Sequence, residues 1–177
     1  DCVANLLLSI RQSPGCELVV IADNCQDATA DLAKQAGARV LVRNDLQRRG
    51  KGYALDFAFS TLLDEDFAGF IVVDADSRVS ADFVSAFQQG FFQGERALQC
   101  RYRVGNPEAS PRAKLQNVAW LAFNELRLAG RDRLSVSVGI LGNGFALSRQ
   151  VLERVPYKAG SIAEDLEYHL ALVKAGF

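Results

Sequence analysis

The stretch FIVVDADS, residues 70–77, decides how the rest of this chain is interpreted. It is an apolar run that ends on two carboxylates, Asp74 and Asp76, separated by one alanine. Such a run is typical of a buried strand, and open α/β sheets bind small molecules at the carboxyl ends of their strands. Two acidic residues there favour a divalent cation, because carboxylate oxygens suit Mg²⁺ or Mn²⁺, and such a metal commonly bridges nucleotide phosphates. Taken alone, the motif fits equally well a solvated turn in which Asp76 caps the next helix.

Composition places the chain among ordinary globular proteins. Its 177 residues are enough for one domain with a sizeable core, and 49% hydrophobic with 23% charged residues excludes a disordered or fibrous class. The net charge of −1 shows no excess of basic residues of the kind that binds nucleic acid, so we expect no nucleic-acid partner. No apolar run approaches the ~18 residues that span a bilayer, so we expect no membrane segment in these residues.

Cysteine usage and the two ends of the chain give two further expectations. The four cysteines have neither CxxC spacing nor a dense framework, which is typical of reduced thiols in a cytosolic protein. The sequence begins on Asp1 instead of methionine and stops directly after a helical pattern. We therefore expect a single domain over residues 1–177 that is a fragment of a longer chain.

The first half of the sequence alternates between helical and strand patterns. The predicted elements are a helix over 3–10, a strand over 17–22 that leads to Asp23, a helix from the cap Asp27 to Gly37, and a strand over 38–42. Alternation of this kind implies right-handed crossovers and a mainly parallel sheet in an α/β fold.

Two glycine motifs have both a structural and a functional interpretation. The polar segment 43–52, RNDLQRRGKG, predicts a loop in which Lys51 offers a positive charge to a phosphate or a base edge, or simply a solvated loop. Gly142, Asn143 and Gly144 lie between apolar runs. This pattern indicates either a hairpin turn or a backbone held open beside a ligand.

Between residue 77 and the Gly-Asn-Gly motif the sequence predicts two helices and a strand. Ser80 is the expected N-cap of a helix that buries phenylalanines. Apolar and polar residues alternate over residues 97–104, which predicts a strand whose polar face belongs either to an edge strand exposed to solvent or to a polar cleft. A long helix follows. Trp120 lies off the apolar stripe of this helix, and we interpret it as a packing residue and not as a surface on which a sugar stacks. The stripe, predicted to be buried, consists of Leu115, Val118, Ala119, Ala122, Leu126 and Ala129.

A final helix is predicted over residues 161–176. Ser161 and Glu164 match a capping box, which gives Glu164 a structural explanation, whereas Asp165 has none beyond the helix dipole. His169 follows Asp165 by four residues, and a polar pair between them is favoured over a metal ligand. The predicted buried stripe is Leu166, Leu170 and Val173.

The order of these motifs resembles that of family 2 glycosyltransferases of the GT-A fold, the group that includes chitin, hyaluronan and cellulose synthases and many bacterial polysaccharide enzymes. The matching segments are VVIADNCQDAT, RRGKGYAL, VVDADS, GNGFALSR and AEDLEYHL. The resemblance implies a Rossmann-like, mainly parallel sheet flanked by helices. The family's first strand and its P-x-x-N-E loop are missing before Asp1, and a Q-x-x-R-W motif would lie beyond residue 177.

What the resemblance implies for function is specific. It implies inverting transfer of a hexose from a nucleotide-diphosphate sugar, usually UDP-linked, to a saccharide or lipid-linked acceptor with Mn²⁺ or Mg²⁺. It also implies a cytoplasmic location, at the cytoplasmic face of the membrane in membrane-associated members. On the donor side, the resemblance implies that Asp23 binds the nucleobase with Lys51 close by, that Asp74 contacts the ribose or the diphosphate, and that Asp76 binds the metal together with Asp74. On the acceptor side, it implies that Asp165 is the general base and that Glu164 supports the base or contacts the acceptor. The implied border of the sugar pocket is Gly142, Asn143 and Gly144.

Two other classes remain open from the residues. A phosphatase of the haloacid-dehalogenase type also carries a strand that ends in DxD, with the first aspartate as nucleophile, but that strand is the first of its fold. Here two strand–helix units precede the motif. The other class is an α/β module that binds a nucleotide without turnover.

Overall fold

The computed structural model describes residues 2–158, 161 and 163–177. Helices and strands alternate through these residues, which confirms the α/β class. Among them no helix is long and apolar enough to cross a bilayer. In chain order the elements are α1 (Cys2–Ile10), β1 (Val19–Asp23), α2 (Thr29–Gln35), β2 (Arg39–Arg43), α3 (Lys51–Leu62), β3 (Gly69–Val72), α4 (Phe83–Phe92), β4 (Ala97–Gln99), a 3₁₀ turn (Pro107–Ala109), α5 (Pro111–Trp120), a π-helical stretch (Leu121–Leu126), α6 (Arg127–Arg133), β5 (Phe145–Ser148), α7 (Arg149–Arg154) and α8 (Glu164–Lys174).

The strands form two groups. β1 and β2 are parallel, with Asp23 opposite Arg43, whereas β5 lies antiparallel between β3 and β4. The expectation of a mainly parallel sheet therefore holds for the first group and not for the second. The reason is that the chain after β4 makes a long helical excursion and then returns through the middle of the sheet.

The register of β5 positions the Gly-Asn-Gly motif. Val72 pairs with Phe145, so the residues that follow β3 lie beside those that precede β5. Residues 138–141 form no strand, so the motif is a turn that leads into β5 and not the tip of a hairpin.

β5 is also the centre of the hydrophobic core. Its residues Phe145 and Leu147 are completely buried, and the buried face of α3 packs into the same cluster. Tyr157 stacks on Phe145 with ring centroids 6.5 Å apart, which extends the core to the segment that precedes α8. The element that carries the glycine motif is therefore anchored in the most tightly packed part of the molecule.

Three local predictions are corrected. Lys51 begins α3 instead of lying in a loop, because Gly50 takes a positive φ of 121° and turns the chain into the helix. Ser80 does not cap α4, whose N-cap Asp82 makes no side-chain cap bond. The predicted capping box is not formed either, because the N-cap of α8 is Ala163, without a side-chain cap bond, and the hydroxyl of Ser161 accepts from the N–H of Ala163 instead.

The long helical segment turns its apolar stripe outward, contrary to the prediction. Leu115 and Leu126 are each 74% exposed, whereas Leu128, off the stripe, is 4% exposed. The inward face is fixed by Tyr102, whose ring meets Trp120 edge-on with centroids 5.3 Å apart. Trp120 is thus a packing residue, as predicted, and it belongs to the face that the sequence pattern did not favour.

Helix α8 repeats this reversal. Its predicted stripe of Leu166, Leu170 and Val173 is about half exposed, and Tyr168 and Leu172 face the core instead. Helical periodicity reveals that two faces differ, but neighbouring elements decide which face is covered.

The predicted pair between Asp165 and His169 is wrong for the described structure, in which the two side chains form neither a hydrogen bond nor an ion pair. In the part of the chain that the structure describes, the imidazole of His169 has positively charged groups near it instead of a carboxylate partner. Burial lowers the pKa of His169, and the positive charges of Arg131 and Arg127 lower it further. A carboxylate partner would raise that pKa instead.

Candidate functional site

The turn after β3 is tied to the Gly-Asn-Gly motif through one side chain. Oδ1 of Asn143 accepts from the N–H of Asp74 at 3.0 Å, and its Nδ2 donates to Oγ of Ser77 at 2.8 Å. The N–H of Ser77 closes the turn by donating to the carbonyl of Asp74 at 3.0 Å. Asn143 therefore shapes the DxD turn from a different part of the chain.

Lys51 joins the same group of residues from the first turn of α3. Its ammonium donates to Oδ1 of Asp74 and to the carbonyl oxygen of Gly142. The side chains of Lys51 and Asp74 are about one-third exposed, so the pair faces solvent on one side. Three residues that the sequence predicted for the site thus meet at one point.

Asp165 stands on the other side of the glycine motif. Gly142 has φ +76°, and a β-carbon there would lie 3.3 Å from Oδ2 of Asp165. At Gly144, where φ is +63°, a β-carbon would collide with Sγ of Cys100. The backbone angle favours glycine at both positions, and at Gly144 the close approach of Cys100 requires it. The predicted base therefore lies against the backbone that borders Lys51 and Asp74.

The carboxylates at the start of α8 also influence a core tyrosine. Burial raises the pKa of Tyr157, and the negative charges of Glu164 and Asp165 raise it further. Glu164, which is half-buried, therefore lies near enough to Tyr157 for its charge to act on the phenol.

The second carboxylate of the DxD motif is exposed. Asp76 lies in the solvent-facing part of the turn, while Asp74 is held by Lys51. Within the described residues no group of three potential ligands surrounds a point suited to a metal ion. Two carboxylates with hard oxygens nevertheless fit a Mg²⁺-type site, in which waters and substrate phosphates supply the remaining ligands.

Asp23 lies at the end of β1 and belongs to a second cluster. Arg43 donates to its Oδ1 at 2.6 Å, and the same guanidinium donates to the carbonyl of Arg48 at 2.8 Å. Among the described residues Asp23 makes no bond to Lys51 or Asp74. The segment after Arg43 nevertheless runs directly into α3, which links the two clusters along the chain.

Sequence reasoning missed Gln99 as a residue of the site. Its amide donates to the carbonyl of Asn143 at 2.8 Å, and its Oε1 accepts from the N–H of Leu141 at 2.8 Å. Gln99 thus holds both ends of the Gly-Asn-Gly turn. The available signal was its place on the polar face of the alternating segment, and β4 is also an edge strand.

An open cleft adjoins the site at Gln99. It has a volume of about 800 Å³ between α4, α6 and α8, and Gln99, Arg101 and His169 are among its lining residues. None of Asp23, Asp74 or Asp165 lines it. The candidate site is therefore identified by the contacts between residues and not by the size of the cleft.

The comparison that decides the family covers every residue of the sequence. Residues 1–177 match the family model described as glycosyltransferase-like family 2. The chain belongs to this family. The GT-A fold expected from the motifs is confirmed. Membership of this family explains why the DxD, Gly-Asn-Gly and Glu-Asp segments lie together in one fold.

Relatives of known name agree with this family. The probable glycosyltransferase YdaM of Bacillus subtilis (strain 168) is 23% identical over 170 residues, which cover 91% of this chain and 40% of YdaM. Two crystal structures of glucosyl-3-phosphoglycerate synthase from Mycobacterium tuberculosis share the fold. The complex with UDP has a TM-score of 0.66 at 22% identity and covers 98% of this chain and 61% of that chain. The complex with Mn²⁺, UDP-glucose and phosphoglyceric acid has a TM-score of 0.65 at 23% identity, with coverage of 98% and 60%. The present chain thus spans less than two thirds of each relative.

Proposed function

We propose that this protein transfers a hexose from a UDP-sugar to a hydroxyl group of a saccharide or lipid-linked acceptor, with inversion at the anomeric carbon. The observation that carries the proposal is the double contact of Lys51 with Asp74 and with the carbonyl of Gly142, beside Asp165. A donor-binding cation and carboxylate thus lie next to a candidate base. The four free thiols fit a reducing cytoplasmic location.

The donor side of the proposed site comprises Asp23, Lys51, Asp74 and Asp76. Asp23 binds the nucleobase, and Lys51 and Asp74 position the nucleoside diphosphate. Asp76, with Asp74, holds Mn²⁺ or Mg²⁺, which when bound supplies charge stabilisation for the leaving diphosphate. The Mycobacterium tuberculosis synthase, solved with Mn²⁺ and UDP-glucose, supports this class of donor.

The acceptor side is built around Asp165. An acceptor hydroxyl is weakly nucleophilic at neutral pH, and a positioned carboxylate that takes its proton contributes roughly 10²- to 10⁴-fold. The hydroxyl oxygen forms a bond to C1 of the sugar as the bond from C1 to the diphosphate oxygen breaks. The proton passes to Asp165, the electron pair stays with the nucleoside diphosphate, and Glu164 supports the base or contacts the acceptor. One displacement of this kind inverts the configuration at C1.

Phosphatase chemistry is less well supported. The DxD motif follows β3, the third strand, whereas the haloacid-dehalogenase nucleophile follows the first strand of its sheet. The family match also favours glycosyl transfer.

The test is a donor and metal screen on the full-length protein. We expect release of UDP from UDP-sugars in the presence of Mn²⁺ and an acceptor, and no hydrolysis of p-nitrophenyl phosphate. Hydrolysis of that ester would support the phosphatase. Tight binding of UDP without release from any sugar donor would support a binding module without turnover.

A matched pair of variants tests the metal assignment. Asp76→Asn removes a carboxylate charge from the proposed metal site, so the Mn²⁺-dependent gain in UDP affinity should fall. Asp66→Asn, an exposed acidic residue before β3, should leave that gain unchanged. An unaltered Mn²⁺ dependence in Asp76→Asn would place the metal elsewhere.

A further inference from the structure

The two carboxylate oxygens of Asp23 are not equivalent. Oδ1 accepts from Nη1 of Arg43 at 2.6 Å and from Nδ2 of Asn24 at 3.1 Å. Oδ2 accepts no hydrogen bond from any residue that the structure describes. One oxygen is therefore occupied by the protein, and one is left to meet a ligand.

Arg43 is held in place by the burial of its side chain and by further hydrogen bonds. Its side chain is only 8% exposed, and its second nitrogen Nη2 donates to Oδ2 of Asp45 at 3.1 Å and to the carbonyl of Arg48 at 2.8 Å. Oδ1 of Asp45 accepts backbone N–H groups from Gln47 and Arg48, each at 3.0 Å. These backbone bonds, led by that of Arg48, lower the pKa of Asp45, which therefore remains a charged partner for the guanidinium.

Asn24 fixes the other donor to Oδ1. It adopts a left-handed conformation with φ 54°, and its N–H donates to the carbonyl of Arg43 at 2.7 Å. Its amide also exchanges two bonds with the backbone of Asp45, accepting at 2.8 Å and donating at 3.1 Å. A rotation of Asp23 that offered both oxygens to a ligand would leave Nη1 of the buried Arg43 without its acceptor and would remove one of the two bonds that the amide of Asn24 donates, which is costly.

We propose that Arg43, together with Asn24, makes Asp23 a single hydrogen-bond acceptor and thereby selects a uracil base over guanine and cytosine. This inference rests on the proposed function, in which Asp23 meets the nucleobase. The pairing edge of uracil carries one N–H between two carbonyl groups, which one carboxylate oxygen satisfies. Guanine presents two adjacent donors, of which one would remain unpaired, and cytosine presents a bare acceptor nitrogen that faces the carboxylate. Sites that leave a polar group of the ligand unpaired discriminate strongly against it.

The test compares nucleotide affinities of the full-length protein by calorimetry with UDP, GDP and CDP in the presence of Mn²⁺. The wild type should bind UDP at least about tenfold more tightly than GDP or CDP, a difference of about 1.4 kcal/mol. Arg43→Gln removes the shorter of the two bonds to Oδ1 and leaves only that from Asn24, so Oδ1 can accept from the ligand and the preference for UDP over GDP should fall, by up to about tenfold. Arg43→Lys keeps the charge but not the forked geometry, and it should give an intermediate ratio.

Arg39 provides a matched control on the same strand. Its guanidinium pairs with Glu65 at 2.6 Å, at the opposite end of β2 from Asp23. Arg39→Gln should therefore leave the ratio of UDP to GDP affinity unchanged. Because the readout is the ratio of two affinities, a general loss of stability that weakens the binding of UDP and GDP equally leaves this ratio unchanged and does not mimic the expected result.

Several outcomes would overturn the inference. An unchanged ratio in Arg43→Gln would do so, as would an equal change in Arg39→Gln. If thermal melts show that Arg43→Gln does not fold, an unchanged ratio in Arg43→Lys would count in the same way. Equal affinity of the wild type for UDP and GDP would contradict this inference alone. Failure of the wild type to bind any nucleotide would contradict the proposed function, and this inference would fall with it.

Discussion

The ammonium of Lys51 donates to the carboxylate of Asp74, which lies 23 positions further along the chain. The same ammonium reaches the carbonyl of Gly142, so a single side chain joins the start of α3, the DxD turn and the Gly-Asn-Gly turn. Any change that moves one of these segments therefore affects the other two.

Replacement of Lys51 should weaken the donor site. In Lys51→Met we expect UDP affinity to fall by about tenfold or more, because the proposed diphosphate position loses a positive charge and Asp74 loses its partner. Calorimetry with UDP and Mn²⁺ measures the change. Lys114→Met is the control, since Lys114 pairs with Glu108 at 2.7 Å on the exposed surface, where such pairs contribute little. Wild-type affinity in Lys51→Met would remove Lys51 from the donor site.

A methyl group at Gly142 should disturb the proposed base, Asp165, and spare the proposed donor contacts. Gly142→Ala pushes Oδ2 of Asp165 by a few tenths of an ångström, so we expect the rate of transfer to fall, but by less than the roughly 10²-fold that a displacement of about 1 Å costs. Gly139→Ala is the control, because Gly139 also has a positive φ, +95°, but nothing within 4 Å of the new atom. Steady-state kinetics and UDP calorimetry on both variants separate rate from affinity. Equal rates in the two variants would indicate backbone strain as the cause instead of the contact with Asp165.

The outward stripe of the long helical segment predicts a contrast in stability. Leu126→Ser should change the free energy of unfolding by no more than about 0.5 kcal/mol, because this side chain already meets solvent. Leu128→Ala should cost about 2–5 kcal/mol, because it opens a cavity in a buried position. Urea unfolding of both variants tests the orientation of the helix. A large loss in Leu126→Ser would mean that the stripe is covered.

His169 predicts a pH dependence of stability. Its pKa in the folded protein is lowered by burial and by Arg131 and Arg127, whereas an unfolded histidine titrates near 6.5. The unfolded chain therefore binds the proton more readily, so the stabilisation is present above about pH 6.5 and is lost as the pH falls through the folded value. Melting temperatures between pH 7.5 and 5 should show a smaller decline in His169→Gln than in the wild type. An identical decline in both would contradict this environment.

The residues predicted for the site are those marked by a strand end or by a family motif. Asp74 was predicted from its place after an apolar strand, and Gly142 and Asp165 were predicted because their segments resemble family motifs; the strand register brings Asp74 and Gly142 together. Arg43 and Gln99 were not predicted as site residues. A buried arginine and a glutamine look like any surface residue in the sequence, and they acquire their roles only from neighbours that are distant along the chain.

The same limit explains the reversed helices. Periodicity revealed the stripe that contains Leu115 and Leu126, but the packing of Trp120 against Tyr102 decided which face turned inward. An aromatic pair between distant segments leaves no periodic trace in the sequence.

The most direct test of the account is Asp165→Asn in the full-length protein. The account predicts that transfer from a UDP-sugar falls by at least about 10²-fold, as expected when a general base is lost. It also predicts that UDP affinity measured by calorimetry stays near the wild-type value, because the proposed donor contacts lie at Asp23, Lys51 and Asp74. Transfer at the wild-type rate, or a loss of UDP affinity as large as the loss of rate, would contradict the assignment of Asp165 as the base.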